Sequence, residues 1–369
     1  MRRALLLLAI LATIQLAQAR TEVGDLTGAQ FRVDVPDNWN HGLVIYCHGY
    51  RTDPVTFDGK KALDDHLAVF TKAGYAVAQS SYSTTGWAIE QAIPEIEALR
   101  KYFIERFGMP QEVYVTGESM GGLLTTIMIE KFPQSYDAGL ALCGALGPST
   151  SLMQHAFDFR VIFDYYFPNA LPSPIRVPAD YQATDVLKKK ILALLRRKPA
   201  AAASLRRIVD VRKNDELADN VVFVTFILKD LQQRAGGNPF DNRQTIYTGS
   251  DDDNALNDGV HRYAADRAAL DYLERFYTPT GKLNKPVLAI HTTYDPLVSP
   301  KFPNRYSLLT REAGNGNMFV QQYVKKEGHC AFSPAEIERG FSELRDWKKT
   351  GTAPSGGWLR VGEVKKAVR

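Results

Sequence analysis

The chain has 369 residues, 45% of them hydrophobic and 23% charged, with a formal net charge of +4. That length fits one large α/β domain with an insertion, or two modest domains, and the composition is that of a soluble globular protein able to bury a sizeable core. Arg2 and Arg3 carry part of the positive charge, which leaves about +2 and gives no reason to expect nucleic acid or another polyanion as partner.

The N-terminus reads as a leader. Arg2 and Arg3 form a basic n-region, residues 4–16 an apolar h-region and Ala17-Gln18-Ala19 a small-residue cleavage site, so 1–19 has the pattern of a secretory signal peptide. The apolar run is too short to span a bilayer comfortably, and no second long one follows. A secreted or periplasmic protein starting at Arg20, without a membrane span, is expected.

Residues 31–36 alternate apolar and polar like a half-exposed strand, and 38–42 form a turn. Residues 43–47 are continuously apolar, as suits a buried parallel strand, and lead into His48-Gly49-Tyr50. A helix is predicted over 61–73, stopped by Gly74, then a strand over 75–80. Residues 87–107 carry Ile89, Ile93, Ile96, Leu99 and Phe103 at helical spacing, with Pro94 expected to kink the helix or shift its start. A strand over 112–116, a helix over 122–131 and a strand over 138–143 follow. Such alternation means a parallel sheet with right-handed crossovers.

The alternation stops at Gly147-Pro148. From 149 to 282 the pattern predicts a mainly helical insertion: an aromatic, proline-rich loop over 164–178, a basic helix over 184–210, and a further helix over 263–276. Residues 221–228 are apolar all round, and periodicity alone does not separate a buried helix from a strand. Asp251-Asp252-Asp253-Asn254 lacks the ligand spacing of a calcium loop and reads as a solvated acidic loop. The basic runs at 188–190 and 196–198 read as solvated helix faces. Strands are predicted again over 286–290, ending in His291 to Asp295, and over 318–324, ending in Glu327-Gly328-His329. A closing helix over 334–349 begins with Ser333, Pro334 and Glu336, an N-cap with a capping box. The tail after Thr350 reads as irregular.

Three cysteines follow the leader: Cys47, Cys143 and Cys330. An oxidising compartment permits one disulfide and one leftover thiol. Cys47 and Cys143 lie in strand-like apolar runs, which favours three small buried hydrophobes instead. No spacing resembles a metal site, and neither metal nor cofactor is expected.

Gly117-Glu118-Ser119-Met120-Gly121 sits between a predicted strand and a predicted helix. G-x-S-x-G in that context is a nucleophile elbow, which lifts a serine hydroxyl above the sheet, although a glycine-serine turn at a strand end would share the string. A serine needs a base, and the base an orienting acid. In the chain order Ser, Asp, His these are Ser119, Asp295 and His329, each just past a predicted strand, where an open α/β sheet binds its ligand. Asp295 could instead cap a turn before Pro296, and His329 could be a structural loop residue. His291 is a rival base, but it precedes the acid. His48 is expected to support its loop, and Glu118 to bond locally.

With His48-Gly49-Tyr50, Gly117 to Gly122, Tyr294-Asp295-Pro296-Leu297-Val298 and Gly328-His329 in place, the chain resembles the α/β-hydrolase superfamily, and within it the secreted serine esterases and the prolyl-oligopeptidase-like branch. The resemblance implies an α/β-hydrolase fold: a mostly parallel sheet flanked by helices, with core parts at 20–148 and 283–369 and a cap at 149–282. It also implies an oxyanion hole formed by the backbone N–H groups of Tyr50 and Met120. Tyr50, Tyr82 and Trp87 could line an acyl or aryl pocket, or belong to the core. The activity implied is hydrolysis of a small-molecule carboxylic ester through an acyl-enzyme. A peptidase or amidase is the alternative, and a non-catalytic binding protein on the same fold is a third reading.

Overall fold

In the computed structural model residues 19–276 and 278–361 are described, so the leader expected at the N-terminus lies, but for Ala19, outside the described residues. Among the described residues nine strands form one sheet: β1 (Arg20–Leu26), β2 (Ala29–Val35), β3 (Gly42–Cys47), β4 (Ala76–Ser80), β5 (Glu112–Glu118), β6 (Ala138–Leu142), β7 (Val287–Tyr294), β8 (Phe319–Glu327) and β9 (Gly357–Trp358). Their order is β1-β2-β4-β3-β5-β6-β7-β8-β9. β1 pairs antiparallel with β2, and β2 with β4; every other pairing is parallel. The continuous apolar run of β3 is explained by its place: Val44 is paired with Val77 on one side and Tyr114 on the other, and both faces of the strand are covered.

The helices are α1 (Asp65–Lys72), α2 (Ile89–Phe107), α3 (Met120–Lys131), α4 (Ser149–Tyr166), α5 (Asp185–Arg197), α6 (Pro199–Val209), α7 (Asn214–Ala235), α8 (Asp253–Gly259), α9 (Arg267–Phe276), α10 (Lys301–Glu312) and α11 (Pro334–Thr350). Alternate residues of the central strands face two cores. Val44, Val77 and Tyr114 meet α1 and α11, where Phe70 and Phe341 stack edge to face at 4.8 Å. Leu43, Ile45, Val113 and Val115 meet α2 and α3 and join a core that continues into α4 to α9. These six helices stand between β6 and β7 as a helical cap. The architecture is the α/β-hydrolase fold with a cap insertion. No helix among the described residues is long and apolar enough to cross a membrane.

Several elements differ from the sequence reading, each for a physical reason. Residues 221–228 are helical: α7 runs for 22 residues through the middle of the cap, against α4, α5, α6 and α9, so apolar residues are called for nearly all round it. The basic helix over 184–210 is two helices, broken at Lys198 because Pro199 cannot continue α5 and instead starts α6. The acidic stretch is not a free loop, since Asp252 caps α8 by accepting from the Ala255 N–H at 3.0 Å. The loop expected from 164 begins later, because α4 extends to Tyr166. α10, which the sequence reading did not include, buries Phe302, Tyr306 and Thr310 at four-residue spacing. The tail contributes β9 to the sheet edge. β1 is added through a tight turn at Thr27 and Gly28, both with positive φ.

Candidate active site

The parallel strands β3, β5, β6, β7 and β8 all end on one rim, and the residues that follow them face one another there. Ser119 stands between β5 and α3 with φ 58° and ψ −118°, a conformation that costs a non-glycine residue about 1–3 kcal/mol and survives only where neighbours over-determine it. Here the Ser119 N–H donates to Leu142 O at 3.0 Å, and Ser119 O accepts from Leu123 N at 3.2 Å. The flanking glycines are demanded by close backbone approach: a Cβ on Gly121 would lie 1.9 Å from Cys47 O, and one on Gly117 2.4 Å from the same oxygen. Met120, the next residue, is buried in the first turn of α3.

Asp295 follows β7 and is 3% exposed. Its Oδ1 accepts from the backbone N–H groups of Leu297 and Val298, both at 2.9 Å. Its Oδ2 lies 2.7 Å from His329 Nδ1 and 3.3 Å from His291 Nε2. Burial by itself raises the Asp295 carboxyl, but the bonds from His291 and His329 outweigh it and hold the group well below the usual carboxylate range. Asp295 is therefore an anion fixed from several sides, and of its two histidine partners His329 is the one that reaches solvent-accessible space. His291 is fully buried, donates to Val298 O at 2.8 Å and does not open onto the cavity described next.

Ser119, Asp295 and His329 line one cavity of about 280 Å³. Its cap-side wall is mainly apolar, with Phe159 from α4 and Phe223, Val224 and Ile227 from α7, although His155, Asp210 and Asn220 line it too. Trp87 and Tyr50 also line it, whereas Tyr82 is buried behind the rim and stacks on His48 with ring centroids 4.0 Å apart. His48 ties its loop down, with Nδ1 2.7 Å from Gly49 O and Nε2 3.1 Å from Ser81 O; burial lowers its pKa. Gly49 brings that loop against the serine, since a Cβ there would be 3.2 Å from Ser119 Cβ. The Glu118 carboxylate bonds locally, 3.2 Å from His66 Nδ1.

The cysteine expectation is corrected. Cys143, just past β6, and Cys330, beside His329, form a disulfide across 187 residues, and only Cys47 stays a free buried thiol. Burial pushes that thiol up to about 12. The Cys143, His329 and Cys330 donor atoms lie within 4.8 Å of one another, but the two sulfurs are bonded together, so they do not make a ligand set. The available signal was positional: both cysteines follow strands that end on the same rim. A second feature had no sequence signal. Asp230, on α7, accepts from the Tyr50 hydroxyl at 3.1 Å and from the Trp87 N–H at 2.7 Å.

No family model matches the sequence, and no curated protein matches it. Solved structures do match. Candida antarctica lipase A superposes with a TM-score of 0.50 at 11% identity, over 90% of this chain and 77% of that one. Feruloyl esterase B from Aspergillus oryzae gives 0.50 at 13% identity, over 95% and 83%. An acylaminoacyl peptidase from Pyrococcus horikoshii gives 0.48 at 10% identity, and the chain covers 42% of that protein's length. At these identities the likeness to the lipase and the feruloyl esterase speaks for the shared fold and nothing finer.

Proposed function

We propose that the protein is a serine hydrolase that cleaves carboxylic esters, with Ser119 as nucleophile, His329 as general base and Asp295 as the orienting acid. The observation that carries this reading is the 2.7 Å contact between His329 Nδ1 and the anionic Asp295, on the wall of the cavity that Ser119 enters from its elbow. Asp295 holds the proton on Nδ1, which leaves Nε2 able to accept one. Ser119 Oγ attacks the ester carbonyl as its proton passes to Nε2. The backbone N–H groups of Met120 and Tyr50 receive the developing oxyanion. Collapse expels the alcohol, which takes the proton from His329. A water activated by the same imidazole then releases the acid and restores Ser119. The apolar wall of Phe159, Phe223 and Ile227 favours an ester with an apolar acyl or aryl group.

The leader and the disulfide together support export to an oxidising compartment, secreted or periplasmic. The test of function is turnover of p-nitrophenyl esters, beside a peptide library, by the wild type and Ser119→Ala. Loss of the nucleophile is expected to lower kcat by about 10⁵-fold or more. Equal rates in the two proteins would refute the mechanism, and a preference for peptide bonds would overturn the ester assignment in favour of a peptidase.

A further inference from the structure

We infer that Asp230, a cap residue, is a positioning residue for the oxyanion loop, so that part of the catalytic machinery is assembled only when α7 is seated on the core. The inference rests on the serine-hydrolase reading above. Phe223, Ile227, Asp230 and Arg234 recur at spacings of four, three and four, which puts them on one stripe of α7. The first two wall the cavity. The next two grip the loops that border it.

Asp230 Oδ2 accepts from both Tyr50 Oη and Trp87 N, while Oδ1 accepts from Arg234 Nε at 2.8 Å. Arg234 in turn donates to Thr85 O and to Gln91 Oε1. The two gripped loops are also joined to each other, through the Gly86 N–H donating to Arg51 O at 2.7 Å. The fit is tight, because a Cβ on Gly86 would lie 2.3 Å from Asp230 Oδ2. Phe223 meets the Tyr50 ring edge to face at 5.5 Å. Tyr50 is thus held at its hydroxyl and its ring by the cap, while the residue before it, Gly49, packs against Ser119. A backbone donor stabilises an oxyanion only if it is fixed before the charge develops. Fixing the far end of the Tyr50 side chain restrains that main chain, and Asp230 is the charged anchor that does so.

The experiment compares Asp230→Asn, Tyr50→Phe and Tyr272→Phe with the wild type. Tyr272→Phe is the control: it removes the 2.9 Å contact from Tyr272 Oη to Glu90, which also joins cap to core and approaches Arg234 but touches neither Asp230 nor Tyr50 and lies away from the cavity. Asparagine keeps the shape of Asp230 but presents one acceptor oxygen where three donors converge. Asp230→Asn and Tyr50→Phe are expected to lower kcat by about 10-fold or more, with KM within about threefold, and to weaken a boronic-acid transition-state analogue in parallel. Tyr272→Phe should leave kcat and analogue binding unchanged. Should Asp230→Asn not fold, Tyr50→Phe, which loses one oxygen, carries the test. Unchanged kcat in Tyr50→Phe, or an equal loss in Tyr272→Phe, or a rise in KM alone, would overturn the positioning role. A wild type that turns over no ester would be a failure of the function, visible before any variant is compared.

Discussion

The disulfide offers the sharpest quantitative prediction. Replacing Cys143 and Cys330 together by alanine opens a loop of 187 residues in the unfolded chain. By loop-closure entropy a cross-link of that span contributes about 5 kcal/mol, against a total stability of roughly 5–15 kcal/mol for a typical domain. Part is offset, because both cysteines sit at positive φ, 43° and 54°, and the freed loops can relax that backbone strain once the link is gone. A net loss of about 2–4 kcal/mol is therefore expected, read as a lower midpoint in urea with a steeper slope, because the opened denatured chain exposes more surface. The loss should have a catalytic component as well. Cys330 adjoins His329, and the bridge ties that loop to the end of β6, whose Leu142 O accepts from Ser119 N. Freed of it, the His329 loop keeps the Asp295 contact and the bonds of Gly328 to Tyr294 and Thr292 but loses its covalent anchor, and kcat should fall by about 10-fold while the fold persists. The assays are urea unfolding and ester turnover of the double variant and of reduced wild type, with thiol labelling as a check. One buried thiol, Cys47, should resist labelling in the native oxidised protein, and two more groups should label after reduction. An unchanged midpoint with unchanged kcat would refute the reasoning.

Asp295→Asn should lower kcat by about 10³- to 10⁴-fold with little change in KM, because the amide no longer fixes the proton on His329 Nδ1; turnover kinetics read this directly. Since the folded Asp295 carboxyl is held below its unfolded value of about 3.9, its contribution to stability is fully present above about pH 4 and is lost as the pH falls through the folded value. Acid unfolding of the wild type followed by circular dichroism should steepen in that window, and Asp295→Asn should flatten it. Gly121→Ala drives a methyl group into Cys47 O, so a loss of about 4 kcal/mol or more is expected, seen as insoluble or unfolded protein; a soluble, active Gly121→Ala would contradict the elbow packing.

The legible parts of this protein are those written in local spacing. A β-rich run, Gly117 to Gly121 and a helix-forming stretch specify a strand, a sharp turn and a helix within about twenty residues, and Ser119 stands where that grammar puts it. Asp295 and His329 are singled out by a local signal too, each lying just past a predicted strand. The sequence left α7 undecided because a helix covered on most sides loses the amphipathic period that marks a helix. It gave no sign of β9, whose two residues become a strand only because β8 offers an open edge.

By itself, then, the sequence determined the alternation of strands and helices, the point where the cap interrupts it, and the side chains that follow the strand ends, since these depend on contacts between near neighbours in the chain. Only the tertiary structure decided that Cys143 meets Cys330 across 187 residues and that Asp230 holds Tyr50 across 180. Such pairs are selected by how the cap sits on the sheet and by the register of strands far apart in the chain, and no local preference of either residue encodes its partner.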